Sequence, residues 1–204
     1  MKQTNIEPID ILQIERILKK LDQDSPLQHK EQIYDTATNI FTQTRQQNLI
    51  TGYPIQSIYA TTVYIACRQH NEPRTLQEIT NTTRIKTSLL RKTYKNITKG
   101  LNINLPRTTT DQYFKRFTEQ IQLPPKLQTK AEKILTLLQE NNYNPQTSPN
   151  GTVATIIYII TQNQPPSIKK TQDEVCELCC VSNATVRKRT KKIQEILKQI
   201  GYYD

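Results

Sequence analysis

Asn183, Arg187 and Lys191 recur every four residues along a stretch in which Val186, Ile193 and Leu197 form an apolar stripe. If that stretch is a helix with the apolar stripe turned inward, the three polar residues share one outward edge, with Ala184 and Lys188 alongside. Six Lys or Arg and a single acid, Glu195, stand between Val181 and Lys198. The chemistry open to such a helix is recognition of a polyanion. Its free N–H groups and positive N-terminal end suit a phosphate, and the forked guanidinium of Arg187 can pair with O6 and N7 of guanine. A solvated basic face on a core helix would show the same spacing.

Other chemistries find less material. Cys176-Glu177-Leu178-Cys179-Cys180 contains a CxxC spacing, but tetrahedral zinc needs four ligands and no second pair stands nearby. The only histidines are His29 and His70. Cys179 falls on the apolar stripe of its helix, so buried packing is the expectation, with no metal site. The chain has no HExxH motif, nucleophile elbow or glycine-rich phosphate loop, and it contains four glycines in all. No catalytic residue is assigned; the expected protein is a binding protein and not an enzyme.

The basic helix must be held by something, and the chain supplies that frame twice, about 95 residues apart. Ala60-Thr61-Thr62-Val63-Tyr64-Ile65-Ala66 returns as Ala154-Thr155-Ile156-Ile157-Tyr158-Ile159-Ile160. Thr75 with Glu78 returns as Thr171 with Glu174, both in capping-box spacing. Leu90-Arg91-Lys92 returns as Val186-Arg187-Lys188, and Gly151 takes the place of Gly52. The last two helices of each copy are separated by a few residues, as in a helix-turn-helix; in the second copy the turn is Cys180-Val181-Ser182.

Apolar residues recur at helical spacing nearly throughout and strand-like alternation is scarce, so the fold class is all-α. In the first copy, Ile11, Ile14, Leu18 and Leu21 mark a helix, and Ser25-Pro26 reads as the cap and first position of the next, which carries Ile33, Ala37, Ile40, Phe41 and Leu49. A third helix runs from Ile58 to about Arg68, a short fourth follows Thr75, and a fifth carries Leu90, Tyr94, Ile97 and Leu101. The second copy repeats the order, giving five helices each. The expected domains are residues 1–105 and 111–204, joined by a polar linker at 106–110.

The 204 residues carry a formal net charge of +10, with 14 Lys+Arg against 9 Asp+Glu on each side of Leu105. The positive excess belongs to the repeat and points to an acidic partner such as nucleic acid. Four cysteines, three of them clustered, favour a reducing compartment over a secreted disulfide scaffold. The sequence lacks an evident signal peptide and any apolar run of membrane-spanning length, so a soluble intracellular protein is expected.

Tyr64 to Gln69, then Glu72-Pro73-Arg74-Thr75-Leu76-Gln77-Glu78-Ile79, resembles the core domain of archaeal transcription initiation factor B and its eukaryotic relative, transcription factor IIB. The resemblance continues through Arg84-Ile85 and Tyr94 and recurs in the second copy at Ala154 to Ile160 and Val181 to Arg187. It implies two tandem five-helix cyclin-like repeats, and a general initiation factor core that binds the complex of TATA-box-binding protein with promoter double-stranded DNA and supports assembly with RNA polymerase. The second helix-turn-helix would read the element upstream of the TATA box through Ala184 and Arg187, with Asn183 and Lys188 beside them; Lys191, on the same edge by its spacing, is the further DNA-binding candidate. Gly52 matches the glycine of the loop that approaches DNA downstream of the box, Tyr53 stands beside it where a basic residue is common, and Gly151, in the place of Gly52 in the second copy, is a further DNA-binding candidate. Lys86, Arg91 and Lys92 are the candidates for the TATA-box-binding protein.

The family normally carries an N-terminal zinc ribbon, which does not precede the first core helix in this sequence, so the expectation is either a core excised from a longer protein or a shortened paralogue, with no cofactor in this chain and polymerase contact weakened or indirect. Two alternatives remain at this level: a cyclin-type protein-interaction module, and a ribbon-less paralogue that competes with initiation. The location implied is the cytoplasm, on the nucleoid of an archaeon, or the nucleus in a eukaryote.

Overall fold

Two helices of the chain are apolar on nearly every side, and each becomes the axis of its own five-helix unit. The structure, a computed structural model, describes residues 7–105, 107–144 and 148–202, and all regular structure among them is helical. The first unit comprises α1 (Pro8–Asp24), α2 (Lys30–Gln46), α3 (Ile55–Gln69), α4 (Leu76–Thr83) and α5 (Thr87–Gly100). The second comprises α6 (Thr110–Gln120), α7 (Pro125–Glu140), α8 (Pro149–Thr161), α9 (Gln172–Cys179) and α10 (Asn183–Gln199). The chain divides into two compact units between Arg107 and Thr108. Thr109, which polarity alone puts in the linker, is the N-cap of α6 and shares a capping box with Gln112. Pro106 lies outside the described residues.

In the first unit α3 packs against α1, α2, α4 and α5, and in the second α8 packs against α6, α7, α9 and α10. Such helices owe their stability to burial, which outweighs the weak helix propensity of their many β-branched residues. Thr61, Thr62, Thr155 and Thr161 are admitted to the core because each hydroxyl returns a hydrogen bond to the preceding turn, as Thr61 does to the Ser57 carbonyl at 2.6 Å and Thr155 to that of Gly151 at 2.8 Å. Burial alone would leave those hydroxyls costly.

One polar knot ties the first unit together. Asp10, 5 % exposed, accepts from Arg45 at 2.5 Å and from the Tyr59 hydroxyl, joining α1, α2 and α3. Burial and the bond to Asp10 push the Tyr59 phenol above its ordinary range, which keeps it a donor.

The Ser25-Pro26 start expected for α2 is not where the helix begins. Ser25 is the C-cap of α1, and α2 starts at Lys30. The Glu72 carboxylate, more than 40 residues away in sequence, accepts from the backbone N–H groups of Gln28 at 2.9 Å and His29 at 2.6 Å, with His29 Nδ1 at 2.7 Å. A distant side chain therefore fixes the start, and local capping rules cannot see it. Leu49 likewise falls beyond the end of α2 at Gln46, in a turn where Asn48 has φ of 56°.

Candidate nucleic-acid interface

The two short-helix pairs share one construction. Thr75 caps α4 and Thr171 caps α9, each in a reciprocal capping box with the glutamate three residues on. Each short helix ends on a left-handed residue, Arg84 with φ 58° and Cys180 with φ 52°, and the next helix begins three residues later. In α9 the backbone and hydroxyl of Thr171 hold the Glu174 carboxyl below its ordinary range. The pair in the second unit has one further refinement. The Ser182 hydroxyl accepts from the Thr185 N–H at 3.2 Å and so caps α10, whereas Lys86 at the matching position gives α5 no side-chain cap.

α10 buries Val186, Ile193 and Leu197, as the stripe requires, and leaves Ala184, Arg187, Lys188 and Lys191 exposed on its far side. Lys192 joins them. Two clefts flank the helix. One, of about 400 Å³, is lined by Arg187, Lys191, Gln194, Lys198, Tyr158 and Glu195, among others; the other, of about 530 Å³, by Asn142, Asn144, Thr185, Lys188 and Lys192. Both therefore present cations to a ligand lying along α10.

Asn183 stands apart from this set. Its Oδ1 accepts from Gln172 Nε2 at 2.5 Å and from Cys176 Sγ at 3.4 Å, and its Nδ2 donates to Asp173 at 2.8 Å. The amide clamps the start of α10 to α9, so its hydrogen-bonding groups are engaged inside the helix-turn-helix and not directed at a base. Its alignment with Arg187 and Lys191 on the helix is as expected; its chemistry is not.

Gly151 also departs from expectation. It does not occupy a loop like that of Gly52 but lies in the first turn of α8, buried where α8 crosses α10. A Cβ there would come within 2.6 Å of Ser148 Oγ and 3.3 Å of both Arg189 Nε and Thr185 Cγ2. Its missing side chain serves close packing, and a buried backbone cannot approach DNA. Arg189, counted by charge alone among the basic block, turns inward over it to bond the Tyr143 hydroxyl at 2.7 Å and Thr152 at 3.1 Å. Gly52 is different: exposed, with φ +83° and open space where a Cβ would be, it shapes the turn before α3. Tyr53 is half-buried beside it and lines an open cleft of about 680 Å³ with Lys92, Lys95, Asn96 and Lys99.

Lys86, Arg91 and Lys92 are all exposed on the first unit. Arg91, Lys92 and Lys95 stand 96 positions before Arg187, Lys188 and Lys191, at the same points of their helices, and all six are exposed. The basic face is thus duplicated, a fact the block Arg187 to Lys192 obscures because only continuous runs catch the eye. Lys95 escaped the sequence reading; counting positions from each capping threonine would have found it.

Cys176 and Cys179 are buried, and burial pushes the Cys176 thiol up. Among the described residues no group of three or more His, Cys, Asp or Glu is placed to hold a metal ion, and no helix is long and apolar enough to cross a membrane.

Fold and site together define an all-α tandem-repeat protein, each repeat ending in a basic helix-turn-helix. The family model described as the transcription factor TFIIB repeat matches residues 5–100 and again 103–196. The chain belongs to that family, whose members are transcription factors and not enzymes. It is 34% identical over 152 residues to the transcription initiation factor IIB of Methanococcus maripaludis, covering 74% of this chain and 44% of that protein. It is 32% identical over 181 residues to that of Archaeoglobus fulgidus, covering 88% and 55%, and 33% identical over 183 residues to that of Methanothrix thermoacetophila, covering 88% and 53%. The chain spans about half the length of the curated relatives it matches.

Proposed function

We propose that the chain acts in transcription initiation, docking on promoter DNA held by the TATA-box-binding protein, reading the DNA upstream of the TATA box with α10 and supporting assembly with RNA polymerase. The observation that carries this reading is the exposed row Ala184, Arg187, Lys188 and Lys191 on a helix capped by Ser182 and fixed to its neighbour by Asn183. A rigid recognition helix with a small residue at its N-terminal edge can enter the major groove; its lysines then meet phosphates while Arg187 meets a base edge. Relatives named transcription initiation factor IIB support the reading. The exposed Lys86, Arg91 and Lys92 suit an acidic surface on the TATA-box-binding protein, and Gly52 with Tyr53 suits the opposite flank of the promoter.

A gel-shift experiment tests it. With a labelled promoter duplex, a slower complex is expected only when TATA-box-binding protein is added with this chain, and scrambling the base pairs upstream of the TATA box should weaken it. Equal binding to any duplex without the second protein, or stable association with a kinase and indifference to promoter DNA, would overturn the proposal.

A further inference from the structure

The outer face of α1 is occupied by none of the contacts described so far. Ile9 and Leu12 are 52 % and 48 % exposed and are the two large hydrophobic residues left in solvent among the described residues. Leu12 and Arg16, then Arg16 and Lys20, follow at four-residue steps, so two aliphatic side chains and a run of cations share one side of the helix. Arg16, Lys19 and Lys20 are exposed, and they border a cleft of about 560 Å³ between α1, α3 and α4. The cleft is lined further by Gln13, Gln23, Gln56, Thr82 and Thr83, with Ile17 and Tyr59 supplying apolar surface, and among the described residues no acidic one lines it.

We propose that this face docks an acidic amphipathic helix from another protein, its apolar residues seated on Ile9, Leu12 and the Ile17–Tyr59 surface and its carboxylates on Arg16, Lys19 and Lys20. Charge complementarity selects the occupant. Three cations without an acidic neighbour in the cleft call for a polyanion, and the aliphatic end of the same stripe calls for one that is also apolar. A nucleic acid backbone satisfies the cations but leaves Ile9 and Leu12 unused. A second copy of this chain is opposed by like charge, since the chain carries +10 and the face is itself cationic. From Ile9 to Gln23 the stripe is about 21 Å long, enough for roughly four turns of a partner helix. Its residues are distinct from those assigned to promoter binding, so the two sites can be tested separately.

The test is an amide chemical-shift titration of the whole chain with a synthetic helix of about 16 residues, leucine at i, i+3, i+4 and i+7 and glutamate elsewhere. Shifts should be confined to Ile9–Gln23, Gln56 and Thr82–Thr83. Leu12→Ser and the double variant Arg16→Glu/Lys20→Glu should each weaken binding by about fivefold or more, and a scrambled peptide of equal composition should bind weakly to the native chain. All three substituted positions are exposed, and unchanged thermal unfolding with an unchanged promoter gel-shift would confirm that the variants are folded. Absence of saturable binding, shifts that fall on α10, or a duplex oligonucleotide that occupies the α1 face more tightly than the peptide would each overturn the proposal.

Discussion

Arg189 lies folded over Gly151, with its Nε only 3.3 Å from the point a Cβ on Gly151 would occupy. The corresponding crossing in the first unit pairs Ser57 with Thr93 through a hydroxyl bond of 3.2 Å. The second unit has thus exchanged two small polar side chains for a glycine and an arginine at the point where its central helix bears on α10. A group in the basic block serves to set the angle of α10, and the glycine makes room for it.

Gly151→Val should therefore destabilise the second unit by about 1–3 kcal/mol, because overpacking at a helix crossing is relieved only by moving backbone or turning Arg189 out. Urea unfolding would read the loss. Gly52→Ala should act through a different cause, the strain of a side chain at φ +83°, with no steric term.

The amide of Asn183 is spent within the protein, so Asn183→Ala should loosen the joint between α9 and α10 and not alter base preference. Each lost bond costs about 0.5–1.5 kcal/mol. In promoter gel-shifts the variant should weaken all upstream sequences by a similar factor. A changed preference at one base pair would show that Asn183 leaves Asp173 and Gln172 to read DNA.

Much of this arrangement was legible in the residues themselves, and what was not has identifiable reasons. The capping boxes at Thr75–Glu78 and Thr171–Glu174 are local, closed within four residues, and the structure places both where the spacing predicts. The apolar stripe of α10 is equally local. The start of α2 is not, because its donors are held by Glu72 from another segment. Gly151 misleads for a related reason: a glycine can mark a turn or a close crossing, and only the packing of α10 on α8 distinguishes them. Asn183 has the right spacing for a contact residue, but spacing carries no information about which partner its amide finds first.

Removing the carboxylate of Asp10 should be among the costliest single changes in the first unit. Asp10→Ala leaves the Arg45 guanidinium and the Tyr59 hydroxyl without their common acceptor in a site where the carboxylate was 7 % exposed. Breaking a largely buried pair costs about 3–5 kcal/mol. Tyr59→Phe removes one donor and keeps the ion pair, so its cost in thermal unfolding should be clearly smaller.

Acid should weaken both units through carboxylates held ionised. Lys30 and the Leu27 backbone hold Asp22 below its ordinary range, and Thr171 does the same for Glu174. A depressed carboxyl stabilises the fold above its unfolded pKa, and that contribution disappears as pH falls through the folded value. Stability should therefore be level at neutral pH and decline below the ordinary carboxylate range. Glu174→Gln retains a capping side chain that does not titrate, so it should flatten part of the acid decline; an unchanged decline would remove Glu174 from its causes.

Arg187 and Lys191 lie one helical turn apart on the same exposed face, and the proposed DNA contact assigns them different work. Arg187→Ala should cost the promoter complex about 1–3 kcal/mol on its preferred sequence and less on a duplex altered at one upstream base pair, since a fork onto a base edge discriminates. Lys191→Ala should weaken every duplex alike and reduce the slope of log K against log salt by about 1, the consequence of one fewer phosphate neutralised. The contrast matters more than either loss. If both variants lose affinity equally on all sequences and both lower the salt slope, α10 holds the backbone without reading it. Sequence preference would then have to come from another part of the complex.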